Sequence, residues 1–320
     1  MARCPNPKCN APAVSCRLGE ATPSACPVWS GTNASAEPRD VCDDPGYTRL
    51  PWSGAAMGTT DLPFLTSRTD PKLVALIGPH NAGKTTLLGA WYQRVGRTGM
   101  VGASPFAGSY SLEGWEAVAH ALRWEGHAPG FPSHTSSGSG RSPGLLHLAS
   151  RDAGGEIADT LFADTPGEWF QRWSVDASAP DAEGARWVID RASALMLVAD
   201  CEALAGPGRG PARSDLVNLV RRVASERRGR PTALVWTKAD VTVPPAIRSA
   251  VEDAAKRSLP DLAQFETSVA QRRDDGAEID AVALVDAALG WASRAVARGF
   301  VVPDHRPAGA DPFFAMGVAA

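Results

Sequence analysis

Residues 78 to 85 read GPHNAGKT, a glycine-bracketed loop with the spacing GxxxxGKT. The loop follows the apolar run KLVALIG (72–78) and opens the helical pattern KTTLLGAWYQRV (84–95), the strand-to-helix context that a phosphate-binding loop requires. Glycines let backbone N–H groups turn inward onto phosphate oxygens, and a helix start adds the positive end of its dipole. Gly78, Asn81, Ala82, Gly83, Lys84, Thr85 and Thr86 are therefore the candidate phosphate-binding residues. Lys84 would reach the β and γ phosphates of a nucleotide, and the Thr85 hydroxyl would ligate Mg2+. Composition supplies an internal check: only five of the 32 basic residues are Lys, yet Lys stands at both motif positions, 84 and 238.

A second element, FADTPGE (162–168), ends an apolar run. Asp164 sits where a strand end can hold Mg2+ through water, and the Gly167 N–H can bond a γ-phosphate. The third element, VWTKAD (235–240), decides the base. An acceptor-only carboxylate at Asp240 takes two hydrogen bonds from guanine N1–H and N2–H, whereas adenine offers no such pair of donors. A buried Asp in this role rejects ATP by leaving its charge unpaired. Lys238 would lay its aliphatic stem along the ring, beside Thr237. In ETSVA (266–270), backbone N–H groups near Ser268 and Val269 would reach guanine O6.

These motifs need a scaffold that brings strand ends together. From Lys72 onward short apolar runs alternate with helical patterns, the signature of a parallel sheet flanked by helices. Strands are expected at 72–78, 145–150, 157–165, 194–200, 232–240 and 264–270. RDAGGE (151–156), with Gly154 and Gly155, makes an antiparallel hairpin of the second and third. Helices are expected at 84–95, 182–192, 213–227, 245–258 and 277–297. The expected fold is α/β, with a mixed, mostly parallel, doubly wound sheet of six strands. Residues 97–144 stand outside a minimal version as an insert, with a helix in SLEGWEAVAHALRW and a Ser/Gly-rich stretch after it.

The ordered set GPHNAGKT, DTPG, TKAD and ETSVA resembles the translation-factor-related (TRAFAC) class of P-loop GTPases with a Ras-like G domain, over about residues 72–298. The insert before the second motif and the phrase ADTPGEWF resemble the bacterial double-GTPase families of multi-gene conflict or defence systems. The resemblance implies a three-layer domain at 71–299, GTP and Mg2+ as ligands, and a protein effector or second GTPase as partner. It also implies a switch threonine, for which Thr135 is the choice and Ser133 and Ser136 the neighbours. Catalytic roles then fall to Lys84, Thr135, Gly167 and Glu168, and Mg2+ ligation to Thr85, Asp164 and Thr135. Two departures matter. Glu168 stands where relatives keep a water-orienting Gln; its charge beside a γ-phosphate is repulsive, so slow hydrolysis without an activator is expected. Asn81 matches the K+ ligand of potassium-activated GTPases, in which the cation neutralises transition-state charge; the alternative is a cap on the loop's own backbone. His80 reads either as an outward side chain or as a steric block to an incoming arginine. Trp169, Phe170 and Trp173 either pack under the DTPG turn or form an exposed patch that reports nucleotide state.

The remaining features bound the function. A net charge of −3 gives no electrostatic footprint for nucleic acid or an anionic membrane, and no apolar run reaches the length of a membrane span. The opening MARCPNPKC lacks the apolar core of a signal peptide, so a cytoplasmic location is expected. Five of six cysteines lie in the first 42 residues, within a Pro/Gly-rich extension taken as 1–70. Cys4, Cys9, Cys16 and Cys26 are candidates for a structural Zn2+, the alternative being free thiols. A tail, 300–320, carries Phe313 and Phe314. The sequence-level conclusion is a Mg2+-dependent GTP-hydrolysing switch. Its rivals are a nucleotide-binding scaffold that never turns over and an RNA- or ribosome-associated GTPase.

Overall fold

The structure, a computed structural model, describes residues 26, 54–67, 69–122, 143–270 and 272–295. The chain divides into two units, Met1–Pro51 and Trp52–Ala320, and the fold below is that of the second. Its elements in chain order are α1 (Leu62–Thr66), β1 (Lys72–Ile77), α2 (Lys84–Thr98), β2 (Met100–Val101), β3 (Ser104–Gly108), α3 (Leu112–Ala119), β4 (Gly144–Arg151), β5 (Ile157–Asp164), α4 (Gly167–Val175), α5 (Glu183–Arg191), β6 (Ala194–Asp200), α6 (Cys201–Ala205), α7 (Arg209–Glu226), β7 (Thr232–Thr237), α8 (Pro245–Ser258), β8 (Ala263–Glu266) and α9 (Ala281–Arg294).

The strands form one sheet in the order β2-β3-β4-β5-β1-β6-β7-β8. β1 lies between β5 and β6, parallel to both, and β7 and β8 continue the parallel half. Side-chain alternation along β1 divides its residues between two cores. Leu73, Ala75 and Ile77 pack with α4, α5, α7 and α8, while Val74 and Leu76 pack with α2, α3 and α9. Covering both faces is what turns β1, β6 and β7 into near-continuous apolar runs. It also brings the C-terminal ends of β1, β5, β6, β7 and β8 to one edge, where ligands of open α/β sheets bind.

The expected six strands are all present, but the sheet has eight. The two extra strands come from the segment read as an insert. MV pairs antiparallel with SPFAG, which then joins β4 with a register shift between Phe106 and Gly108. A two-residue strand and one holding Pro and Gly carry no period-two signal, so their pairing partners decide them. The expected helix of that segment is α3, whose Trp115 stacks on Tyr92 at 5.7 Å. Trp169, Phe170 and Trp173 are buried in α4, which excludes the exposed patch. Gly184 of α5 makes this possible, since a Cβ there would meet the Trp169 ring at 2.3 Å.

The antiparallel half holds a buried polar network. His147 Nδ1 accepts from the Tyr110 N–H at 3.0 Å, so Nε2 carries the ring proton and donates to Asp159 at 2.8 Å. Asp159 Oδ2 takes a second bond from Thr69 at 2.6 Å, tying the chain before β1 to the hairpin. Both ring and carboxylate are almost fully buried. Removing the ring takes a hydrogen bond from a buried carboxylate, at a cost of about 3 kcal/mol. His147→Ala should lose that much in urea unfolding, and a loss below about 1 kcal/mol would show that water replaces the ring.

Candidate functional site

The phosphate end is built on the turn from β1 into α2. Gly83 adopts φ 78 at the helix N-cap, and Asn81 also takes a left-handed φ of 59. This lets the loop curl back over the helix start. Lys84 is buried, and its Nζ donates to the Gly78 and Pro79 carbonyls at 3.1 and 2.8 Å. Burial pushes its pKa down to about 8, although the charges of Asp164 and Glu168 pull the other way. An anion placed before this ammonium would add to the pull of those two carboxylates.

Thr85 donates to Asp164 Oδ1 at 3.0 Å, joining the loop to the end of β5. Beside them, the buried Thr165 hydroxyl is left without a hydrogen-bond partner. Two oxygens in contact and an orphaned third are a donor set suited to Mg2+ and its waters, so these residues fit that ion. Gly167 opens α4 directly against the loop: a Cβ there would meet His80 N at 2.2 Å and Pro79 C at 2.3 Å. Next to it Glu168 Oε1 lies 2.9 Å from His80 Nδ1, so His80 is turned onto Glu168 and does not simply point outward.

The base end is assembled from the ends of β6, β7 and β8. Thr237 Oγ1 lies within hydrogen-bond distance of the Ala82 and Ala199 carbonyls, 2.8 and 3.2 Å, and so links the phosphate loop to the sheet. Lys238, at φ 54, places Nζ 2.9 Å from Asp200 and 2.8 Å from Glu202. Burial alone would lower its pKa, but the bonds to Glu202 and Asp200 outweigh that and raise it. The ammonium is thus pinned, and Lys238 is part of the cavity lining. Ser268, buried, donates to Asp240 Oδ1 at 2.6 Å and itself takes a bond from the Ala270 N–H. That fixes the carboxylate while leaving Oδ2 for a ligand.

One cavity of about 550 Å3 joins the two ends. Its lining includes Asn81, Ala82, Gly83, Lys84, Thr85, Thr86, Gly167, Thr237, Lys238, Asp240, Ser268 and Val269, all expected from the sequence. The volume is within the range of small-molecule sites. The Double-GTPase 2 family model matches residues 72–292, which takes in every element of this cavity.

The chain belongs to the Double-GTPase 2 family.

Membership of a GTPase family implies that the chain binds GTP or GDP. No curated protein sequence matches the chain. Solved structures that it resembles include nucleolar GTP-binding protein 1 from Plasmodium falciparum, at 9% identity over 68% of this chain and 86% of that one, TM-score 0.37. Another is Era in complex with MgGDPNP and a segment of 16S ribosomal RNA, at 19% identity, covering 69% of this chain and 57% of that one, TM-score 0.34. A third is Aquifex aeolicus Era bound to GDP·AlF4−, at 16% identity, 69% and 56% coverage, TM-score 0.33.

Among the expected residues of this Double-GTPase 2 protein that the structure describes, Gly78, Asp164 and Glu168 are not part of the cavity lining. Thr135, with Ser133 and Ser136, lies outside the described residues, as do Cys4, Cys9, Cys16 and the Phe313–Phe314 pair. Cys26 is a buried free thiol of the first unit, and among the described residues there is no cluster of metal-binding side chains. Among those residues, too, no helix is long and apolar enough to cross a membrane. Four site residues were not legible in the sequence: Thr165, Asp200, Glu202 and the partner role of His80. Asp200 carries the strongest signal, an acid closing the apolar run ALMLVAD at a strand end.

Proposed function

We propose that this protein is a cytoplasmic, Mg2+-dependent GTP hydrolase that works as a molecular switch, within a bacterial multi-gene conflict or defence system and on a protein effector or second GTPase. The observation that carries the reading is one continuous cavity with a fixed carboxylate acceptor, Asp240, at one end and a buried, anion-seeking Lys84 at the other. Lys84 would donate to the β and γ phosphates, and Thr85 with Asp164 would hold Mg2+. When bound, that ion supplies charge neutralisation at the β and γ oxygens. The Gly167 N–H, at the start of α4, would bond the γ-phosphate and so couple α4 to the state of the nucleotide. Asn81 is exposed at the cavity, and its side chain has no hydrogen-bond partner among the described residues, which suits a K+ ligand better than a backbone cap.

The test is phosphate release from GTP and from ATP by the full chain, in KCl and in NaCl. GTP turnover on the order of 10⁻⁴ to 10⁻² s⁻¹ is expected, with none from ATP. The rate should fall in NaCl and in Asn81→Ala. Equal use of ATP would overturn the guanine reading, and GTP turnover indifferent to the cation would remove K+ from it. Tight GTP binding without turnover would leave a nucleotide-dependent scaffold.

A further inference from the structure

We infer that His80 is a positioning residue for GTP hydrolysis: its ring N–H holds Glu168 so that the carboxylate can orient the attacking water. This rests on the proposed GTPase reading and assigns to His80 a role that the motif pattern GxxxxGKT does not specify.

Two independent contacts fix Glu168 over the phosphate loop. The first is backbone packing. Gly167 lies so close to the loop that a Cβ would meet His80 N at 2.2 Å and His80 Cα at 2.6 Å, and Glu168 is the next residue. The second is the side-chain contact of 2.9 Å between His80 Nδ1 and Glu168 Oε1. The loop beneath is itself held by Lys84, bonded to the Gly78 and Pro79 carbonyls. Glu168 is also near enough for its charge to act on Lys84.

Magnitude argues against a purely structural purpose. The two side chains are 41% and 47% exposed, and a pair so wetted adds only about 0 to 1 kcal/mol to stability. Its chemical value is larger. A carboxylate beside a γ-phosphate is repelled and would swing away. A donor on Oε1 offsets that repulsion and leaves Oε2 to accept from water. The water oxygen then bonds to the γ phosphorus, and the bond from phosphorus to the β–γ bridging oxygen breaks. GDP leaves with the electron pair. The water proton passes to Glu168 and from it to a phosphate oxygen, so inorganic phosphate departs protonated and the carboxylate is restored.

The test is single-turnover hydrolysis by the full chain and by His80→Ala, His80→Asn, Glu168→Ala and the double variant His80→Ala/Glu168→Ala, with affinities for fluorescent GDP and GTP analogues measured alongside. His80→Ala should slow hydrolysis about tenfold to a hundredfold, the effect of a misplaced group, with affinities changed less than about threefold. His80→Asn, which keeps an N–H near the Nδ1 position, should recover most of the rate. The double variant should be no slower than Glu168→Ala alone, because the two act as a unit. A His80→Ala rate equal to or above the native rate overturns the inference, the faster case making His80 an obstruction. Additive losses in the double variant overturn it as well. Native protein that binds GTP tightly without hydrolysis also overturns it but leaves the nucleotide site standing. Native protein that binds no GTP removes the reading beneath both.

Discussion

Asp240→Asn should exchange GTP for XTP as the preferred nucleotide. The Asp240 carboxylate is fixed by Ser268 at 2.6 Å and presents only acceptors, which suits the N1–H and N2–H donors of guanine. An Asn amide keeps one acceptor but turns a donor toward the guanine amino group, so two donors face each other. Xanthine has a carbonyl in place of that amine and pairs with the amide. A hydrogen bond to a charged group contributes about 1.5–3 kcal/mol; the variant loses one outright, removes the charge from the other and sets two donors face to face, so GTP should weaken by about 10²-fold or more. XTP should bind the variant within about tenfold of GTP on the native chain. Displacement of a fluorescent GDP analogue by GTP, XTP and ATP reads all three. Retention of GTP affinity within tenfold would mean that the base does not lie on Asp240, and the Lys84-to-Asp240 orientation of the nucleotide would have to be abandoned. Ser268→Ala, which frees the carboxylate without changing its charge, should cost less and leave the preference for guanine intact.

The parts of this site that were legible in the sequence are those whose chemistry is local. GPHNAGKT needs only its own backbone: Gly83 at φ 78 and Lys84 folded back on Gly78 and Pro79 lie within one turn of chain. Asp240 and Ser268 were legible for a related reason, because each follows a strand that ends at the same edge of the sheet, the one before Asp240 being buried throughout. What the sequence left open depends on contacts between distant segments. Lys238 was expected to lie along the base, but its anchors Asp200 and Glu202 belong to the neighbouring strand end and have no motif of their own. Thr237 turned out to tie the loop to the sheet through Ala82, a task that only the parallel pairing of β6 and β7 reveals. His80 had two open readings, and neither named its contact with Glu168, which exists only where α4 meets the loop. The three aromatics after DTPG were undecided for the same reason, and burial against α5 decided them.

Gly167→Ala should cost about a hundredfold or more in hydrolysis while leaving a folded protein that still binds GDP. The atoms that a methyl group would strike are backbone, His80 N at 2.2 Å and Pro79 C at 2.3 Å, and backbone cannot rotate aside as a side-chain tip can. Either the loop or α4 must move. The loop is fastened by Lys84 to its own carbonyls and by Thr237 to Ala82, whereas α4 is entered through Pro166 as an N-cap with no side-chain hydrogen bond. Movement should therefore fall on the start of α4, carrying the Gly167 N–H and Glu168 away from the γ-phosphate position. A shift of about 1 Å in a group that must meet the transition state costs on the order of 10² in rate, while GDP, which has no γ-phosphate, loses nothing by it. The GTP-to-GDP affinity ratio should fall in the same variant, because only GTP uses the displaced contact. Single-turnover hydrolysis, with both affinities and a thermal unfolding curve, separates this from general damage. Unchanged hydrolysis would show that α4 leaves the loop whenever GTP is bound, and that Gly167 serves only the nucleotide-free packing. Loss of GDP binding in step with hydrolysis would show that the loop, and not α4, gives way.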